Sequence, residues 1–370
     1  MRRLTYQEAE DIIYGACICG TGGGGSATEA LDVVRRIYDE GKSIRLAALE
    51  EIGDDWTVAS PYYMGSILPP PEHLMKRFEG KKPLPVPVAR LALEALQAYL
   101  GEPIRAVIAT ELGGNTSCAM EAAAALDIPL VDADPAGRSV PELEHTTFRL
   151  HGIDIYPLAL ASRFGDTLIV TNAVDHSHAD MIGRAFAGQF GNLCGVCDHP
   201  VKGGKLRGSV IGGTLTMAEK LGRARRIACE TGRGPAAAIA EAGGGKLLAE
   251  GTIVEAYWND AAGFTEGSLE IEAAEDRARW SIGYRNEHMV ARRNGEIASV
   301  IPELIVLLDR HTGMPILNPD GEPGMEVAIV TLPAPAAWET EEGLAAFGPE
   351  YIGLPRETYW ELKEARPFKK

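Results

Sequence analysis

Several segments carry residue types that acid–base or metal chemistry needs. Residues 20–26 read Gly-Thr-Gly-Gly-Gly-Gly-Ser. Backbone freed of Cβ can present several N–H groups to an anion or oxyanion, and a helix starting at Ala27 would aim its positive end at the same place. This is not a Walker loop, since no Lys-Ser/Thr pair follows, and it lacks the spacing and leading strand of a dinucleotide fingerprint. Residues 111–117 read Glu-Leu-Gly-Gly-Asn-Thr-Ser. A carboxylate, a permissive backbone and an amide at the end of a strand make a plausible pocket wall. Gly22, Gly23, Gly24, Gly25, Gly113, Gly114 and Asn115 are therefore candidate substrate-binding positions, and Glu111 a candidate catalytic one. Alternatively, the glycines form a helix-to-helix turn and Asn115 merely caps the next helix.

Residues 131–142 add Asp132, Asp134, Arg138 and Glu142. Asp132 and Asp134 alternate at strand spacing, so both face one side if the strand continues. Two close carboxylates can hold a metal, or separate in pKa and share acid and base work. Arg138 could instead neutralise them in a structural ion-pair network. His176 and His178 in Asp-His-Ser-His-Ala-Asp offer metal ligands, and a divalent ion, zinc above all, would draw on them with Asp132 and Asp134. Asp175 or Ser177 as a helix N-cap is the competing reading. The single Cys194-x-x-Cys197 is half a zinc site with no second half, so structural thiols are the better reading. Asn286 and Glu287 reach the site from the distal half or mark a strand turn, and no Gly-x-Ser-x-Gly elbow indicates a triad.

These residues need elements to position them. The apolar spacing predicts a helix over Thr5–Ile18, opened by a Thr5/Glu8 capping box, and a second over Ala27–Glu40. Short strands follow at Ser43–Leu46 and Trp56–Ser60, then an irregular proline-rich stretch over 68–87 and a helix over Val88–Leu100. An α/β rhythm runs through the strand Ala106–Ala109, the helix Cys118–Leu126 and the strand Leu130–Asp132. Beyond residue 165 come a strand at Asp166–Val174 and helices at Ala179–Ala187 and Thr214–Cys229. From residue 251 short strands separated by turns predict a mainly antiparallel sheet. The expectation is a two-domain α+β protein: 1–165 an α/β domain with a parallel or mixed sheet, 166–370 helical at first and then β-rich. Helices past the boundary could pack back on the first domain.

Composition narrows the function classes. With 45% hydrophobic and 24% charged residues the chain is globular, and its formal charge of −16 argues against nucleic acid. The basic run Arg223–Arg226 reads as a solvated helix face. No apolar window suits a signal peptide or a membrane span, and six scattered cysteines suggest reduced thiols, so a cytoplasmic protein is expected.

The segments GTGGGGS, ELGGNTS, VDADPAGRSVPELEHTTFRLHGI and NEHMVAR together resemble the family once catalogued as domain of unknown function 917, now described as S-methyl thiohydantoin desulfurase-like. Their order and spacing span about 1–350. The resemblance implies an α/β domain followed by a β-rich one, and chemistry on five-membered cyclic ureides or thioureides, beside hydantoinase or oxoprolinase-type partners. The positions it marks are Gly22–Gly25, Glu111, Gly113, Gly114, Asp132, Asp134, Gly137, Arg138, Glu142, Asn286 and Glu287. Where the family pattern reads Asp-Ala-Asp-Gly-Met-Gly-Arg-Ala-Phe-Pro-Glu, this chain has Pro135, Ala136, Ser139 and Val140, and Pro135 removes a backbone donor. The His176, His178, Cys194 and Cys197 positions are apolar in the family pattern.

The reading that results is a hydrolase, metal-assisted in one version, of a small cyclic ureide, amide or thiohydantoin-type substrate, working as a homo-oligomer. Asp132 and Asp134, with Glu111 or Glu142, would activate water or hold the ion. The glycine loop would stabilise the oxyanion, and Asn115 and Arg138 would orient the ring. A non-catalytic partner subunit of a hydantoinase-like complex and a phosphate- or nucleotide-binding transferase are the alternatives.

Overall fold

The computed structural model describes residues 1–66, 70, 72–261 and 263–365. Its opening helix, Tyr6–Cys19, starts where expected: Thr5 accepts the Glu8 N–H while Glu8 accepts the Thr5 N–H at 2.7 Å. The second helix, Ala27–Asp39, is capped by Ser26. Between them lies the glycine loop.

The first sheet has eight strands in the order Arg2–Arg3, Arg45–Ala47, Leu130–Val131, Ile104–Val107, Thr57–Gly65, Leu193–Lys202, Leu158–Ala161 and Thr167–Val170. The inner four from Arg45–Ala47 to Thr57–Gly65 pair in parallel, and every other neighbour is antiparallel. The sheet is therefore mixed. The helices Val88–Leu100 and Thr116–Leu126 feed its parallel strands, as right-handed crossovers require. The expected boundary at 165 falls inside the Leu158–Ala161/Thr167–Val170 hairpin, and the sheet continues to Leu193–Lys202.

The second sheet has seven antiparallel strands in the order Glu296–Val300, Glu287–Arg293, Arg279–Arg285, Phe264–Ala273, Lys246–Ala261, Glu326–Leu332 and Leu304–Asp309. Alternation decides how it packs. Along Leu304–Asp309, Leu304, Val306 and Leu308 join the main core, while Ile305 and Leu307 join a second cluster under Trp280 and Ile282. The two halves thus share one core rather than meeting across a linker.

The helix Thr214–Glu230 seals that core against the opening helix. A Cβ on Gly15 would stand 1.7 Å from the Ala218 carbonyl oxygen and one on Gly222 1.9 Å from that of Asp11, so the two backbones touch. Arg226 clamps the buried Asp11 through its Nε and Nη2 at 3.0 and 2.9 Å, and Arg225 lies over the Tyr14 ring. The basic run is in part docked on this helix, not simply solvated.

Other expectations shift. Residues 67–69 and 71 of the proline-rich region lie outside the described residues, and the next segment forms the short helix Glu72–Met75. The strand Leu193–Lys202, the helix Pro235–Ala242 and the C-terminal helices Glu341–Phe347 and Glu357–Ala365 were not anticipated. Among the described residues no helix is long and apolar enough to cross a membrane.

Candidate functional site

The glycine loop, residues 111–115, residues 138–140 and the turn at 286–288 meet at one place. Asn115 N–H donates to the Gly24 carbonyl at 2.8 Å, and a Cβ on Gly113 would stand 2.7 Å from that same oxygen. The two loops pack backbone on backbone, which glycine alone permits. Asn286 turns one strand into the next at a φ of +58°, a conformation asparagine tolerates, and exchanges two 2.8 Å hydrogen bonds with Thr265. That reversal sets Glu287 and His288 under the loop, where His288 N–H donates to the Thr21 carbonyl at 2.7 Å. Glu287 lies so close that a Cβ on Gly23 would stand 2.0 Å from its Oε1.

At the centre are two carboxyl groups and one hydroxyl. Ser139 Oγ lies 2.9 Å from Glu111 Oε2 and 2.9 Å from Glu287 Oε1. Glu111 also accepts from the Val140 N–H at 3.1 Å and Asn115 Nδ2 at 3.3 Å, while Glu287 Oε2 is buried without a hydrogen-bond partner. A serine has one proton to donate, so both contacts are satisfied only if one carboxyl is protonated and donates to Ser139 Oγ. The environments choose which. Burial, with Glu111 beside it, pushes Glu287 up to about 8; burial also raises Glu111, but three donors oppose it. Burial thus holds the proton on Glu287 at neutral pH, while its three donors make Glu111 the better supported of the two as a carboxylate.

Arg138 holds the frame together. It is fully buried, and its Nε donates to the Ser139 carbonyl, its Nη1 to the Pro302 and Glu303 carbonyls, and its Nη2 to Thr21 Oγ1 at 3.0 Å. Burial brings its pKa down to about 10, so it stays charged. With its donors engaged inside the protein, Arg138 positions the loop and Ser139 rather than a substrate ring. The N–H groups of Gly22, Gly24 and Gly25 have no protein acceptor among the described residues, and Gly25 is exposed. The loop that packs against Glu287 through Gly23 and against Ser139 through Gly24 therefore carries N–H groups without a protein acceptor.

The remaining expected residues lie elsewhere. The strand through 130–134 does not continue: Asp132 forms a bend, and Leu130–Val131 and Ala133–Asp134 join different sheets, so the two aspartates do not share a face. Asp132 Oδ1 accepts the Thr216 N–H at 3.0 Å, capping the helix Thr214–Glu230. Asp134 Oδ1 accepts the Ala136 and Gly137 N–H groups at 2.7 and 2.6 Å, and burial raises it to about 6. Glu142 accepts from Tyr351 OH at 2.6 Å, on the wall of the second sheet. His178 Nδ1 bonds the N-cap Asp175 at 2.8 Å, and His176 meets His199. The set Asp132, Asp134, His176 and His178 is thus dispersed by separate partners. Among the described residues no three His, Cys, Asp or Glu side chains gather as metal ligands. Cys194 and Cys197 are buried thiols, with Cys194 pushed up to about 12 by desolvation.

Two cavities are evident. One of about 600 Å³ has Tyr63 in its wall, whose backbone pairs with the Asn115 amide. The other, about 500 Å³, contains Arg285 and Tyr351, which meet Glu142. Neither is walled by Glu111, Glu287 or Ser139. The carboxyl pair is closed under Gly22–Gly24, so chemistry rather than cavity volume marks the site. Ser139 was not anticipated: its role depends on two partners that only tertiary folding brings together.

The whole chain has counterparts among known proteins. The S-Me-THD-like N-terminal domain matches residues 7–172 and the S-Me-THD-like C-terminal domain matches residues 174–362. A crystal structure of a protein from Chromobacterium violaceum superposes with a TM-score of 0.75 at 23% identity, covering 96% of this chain and 98% of that one, and so shares its fold. No curated protein matches the chain. With both domain matches in order along nearly its whole length, the chain belongs to the S-Me-THD-like family.

Proposed function

We propose that the protein is a hydrolase of a small cyclic ureide, amide or thiohydantoin-type compound, with Glu111 and Glu287 as its base and acid. The observation that carries this reading is the Ser139 hydroxyl set 2.9 Å from each of two buried carboxyl groups. Carboxyl groups pushed apart in pKa divide acid and base roles. Family membership supports the substrate class, since S-Me-THD-like proteins are named for thiohydantoins.

In the proposed reaction Glu111 takes a proton from water as the water oxygen bonds to a ring carbon. The negative charge that develops is met by the N–H groups of the glycine loop. The ring-carbon bond to nitrogen or sulfur then breaks, and the Glu287 proton passes to the leaving atom. Glu111 is left protonated and Glu287 ionised. Ser139 restores the start by taking the proton from Glu111 and handing its own to Glu287, so one water is added and no proton is lost. Entry of a substrate requires the glycine loop to shift.

Incubating the full-length protein with hydantoins and S-methylated thiohydantoins in ¹⁸O-labelled water tests this. The expected result is one labelled oxygen in the product, with Glu111→Gln and Glu287→Gln both at least ~100-fold slower. Turnover unaffected by both substitutions would overturn the assignment, and absence of turnover across the panel would overturn the substrate class.

A further inference from the structure

The segment bearing His176 and the strand that carries the Cys194-x-x-Cys197 spacing come together away from the carboxyl pair. His176 is the first residue of the helix His176–Gln189, and His199 lies in the strand Leu193–Lys202. Their Nε2 atoms stand 3.3 Å apart. Behind His199, Asp198 Oδ1 lies 2.8 Å from His199 Nδ1, and Tyr62 OH donates to Asp198 Oδ2 at 2.8 Å. Neighbouring strand residues ordinarily point to opposite faces, so an aspartate and histidine in sequence do not usually meet. Here a bulge opposite Ala59 and a His199 φ of +43° re-aim the ring beside Asp198. Phe148 stacks on that ring at 4.5 Å and fixes its plane.

From this geometry we infer that His176 and His199 form an open two-imidazole site for a borderline divalent cation of the zinc type, with Asp198 and Tyr62 behind it. Two imidazole nitrogens bound at about 2.0–2.1 Å to one tetrahedral ion lie about 3.4 Å apart, close to the spacing seen. Asp198 holds the proton on His199 Nδ1 and leaves the Nε2 lone pair facing His176, the carboxylate–histidine arrangement typical of metal-bound imidazole. Of the groups that act on His176, His199 and Arg149 oppose a positive charge, while Asp198 and Asp154 favour one. His176 is half-buried, so water or a ligand donor can complete the coordination. This site replaces the dispersed set of Asp132, Asp134, His176 and His178, and it does not depend on the hydrolase reading.

The test uses the full chain stripped by a chelator and titrated with zinc against a competing dye, and with cobalt for its visible absorption. The expected result is one equivalent bound, with His176→Ala weakening it at least tenfold and Asp198→Asn by about 10–100-fold. Because His176 sits half-exposed at a helix start, His176→Ala leaves the circular dichroism unchanged. Zinc bound equally well by His176→Ala, or not bound by the unaltered chain, would overturn the site and leave an N–H···N hydrogen bond.

Discussion

Glu111, from the first sheet's loop, and Glu287, from the second sheet's strand, are joined through a single hydroxyl, each 2.9 Å from Ser139 Oγ. Because that hydroxyl has one proton, the pair holds together only with a second proton, and burial places it on Glu287. Glu287→Gln imitates the protonated state in shape and in hydrogen bonding. Its stability at neutral pH should stay within about 1 kcal/mol of the unaltered protein, as thermal denaturation would show. Its turnover should fall ~10²–10⁴-fold, because an amide cannot release the proton.

The same proton makes stability depend on pH in a defined direction. Glu287 is raised from an ordinary value of 4.5 to about 8 in the folded protein. Below pH about 4.5 the folded and unfolded states both hold the proton. From there to about 8 the unfolded chain has lost it and the folded chain has not, so stability falls as pH rises, by about 1.4 kcal/mol per unit. Above about 8 the penalty is complete. Asp134 and Glu111 are also raised, so the comparison that isolates Glu287 is the difference between the unaltered protein and Glu287→Gln across pH 5–9. A difference that stays flat would place the proton elsewhere.

How far the sequence reached can be seen residue by residue. The opening helix was legible because the Thr5/Glu8 capping box is local, and the second sheet because its strands alternate. Glu111 and the glycines were legible from residue type at a predicted strand end and before a predicted helix, and the family resemblance marks them and Glu287 again; periodicity marks none of them. Asp132 and Asp134 were misplaced because strand spacing was counted through a bend. Ser139 shows in the sequence only as a departure from the alanine of the family pattern, and its role rests on two partners that only tertiary folding supplies. The strand Leu193–Lys202, with Gly195, Pro200 and a bulge at His199, shows no clean alternation, and its pairing with Thr57–Gly65 is long-range. The His176–His199 contact depends on that pairing and could not precede it.

Gly23 offers a steric test of the closed loop. An added Cβ would stand 2.0 Å from Glu287 Oε1 and 2.7 Å from its carboxyl carbon, a conflict within a buried, hydrogen-bonded group. Gly23→Ala should destabilise the protein by about 1–3 kcal/mol and disturb turnover. Gly188→Ala is the control. That glycine lies within the helix His176–Gln189 with nothing within 4 Å of its Cβ position, so alanine there should stabilise by about 0.5–1 kcal/mol. Equal melting temperatures for the two variants would mean that the loop stands clear of Glu287.

Asp132 separates the fold from the chemistry most directly. Sequence spacing makes it a catalytic carboxylate, yet its oxygens are engaged by Thr216: Oδ1 accepts the N–H at 3.0 Å and Oδ2 the hydroxyl at 2.5 Å. The helix Thr214–Glu230 begins at Gly213, which supplies no side-chain cap, so Asp132 supplies one from another segment. A negative charge there also meets the positive helix end. Asp132→Ala should therefore cost about 0.5–2 kcal/mol, the usual range for a lost cap, and lower the melting temperature. The loss should extend beyond that helix's first turn, because its glycine contact with the opening helix helps set the glycine loop. Turnover per folded molecule should stay within a few-fold of the unaltered protein, as Glu111, Glu287 and Ser139 are untouched. Asp132→Asn keeps an acceptor for the Thr216 N–H and should recover part of the stability. A variant that folds as stably as the parent but loses turnover would return Asp132 to the chemistry and remove Glu111 as the base.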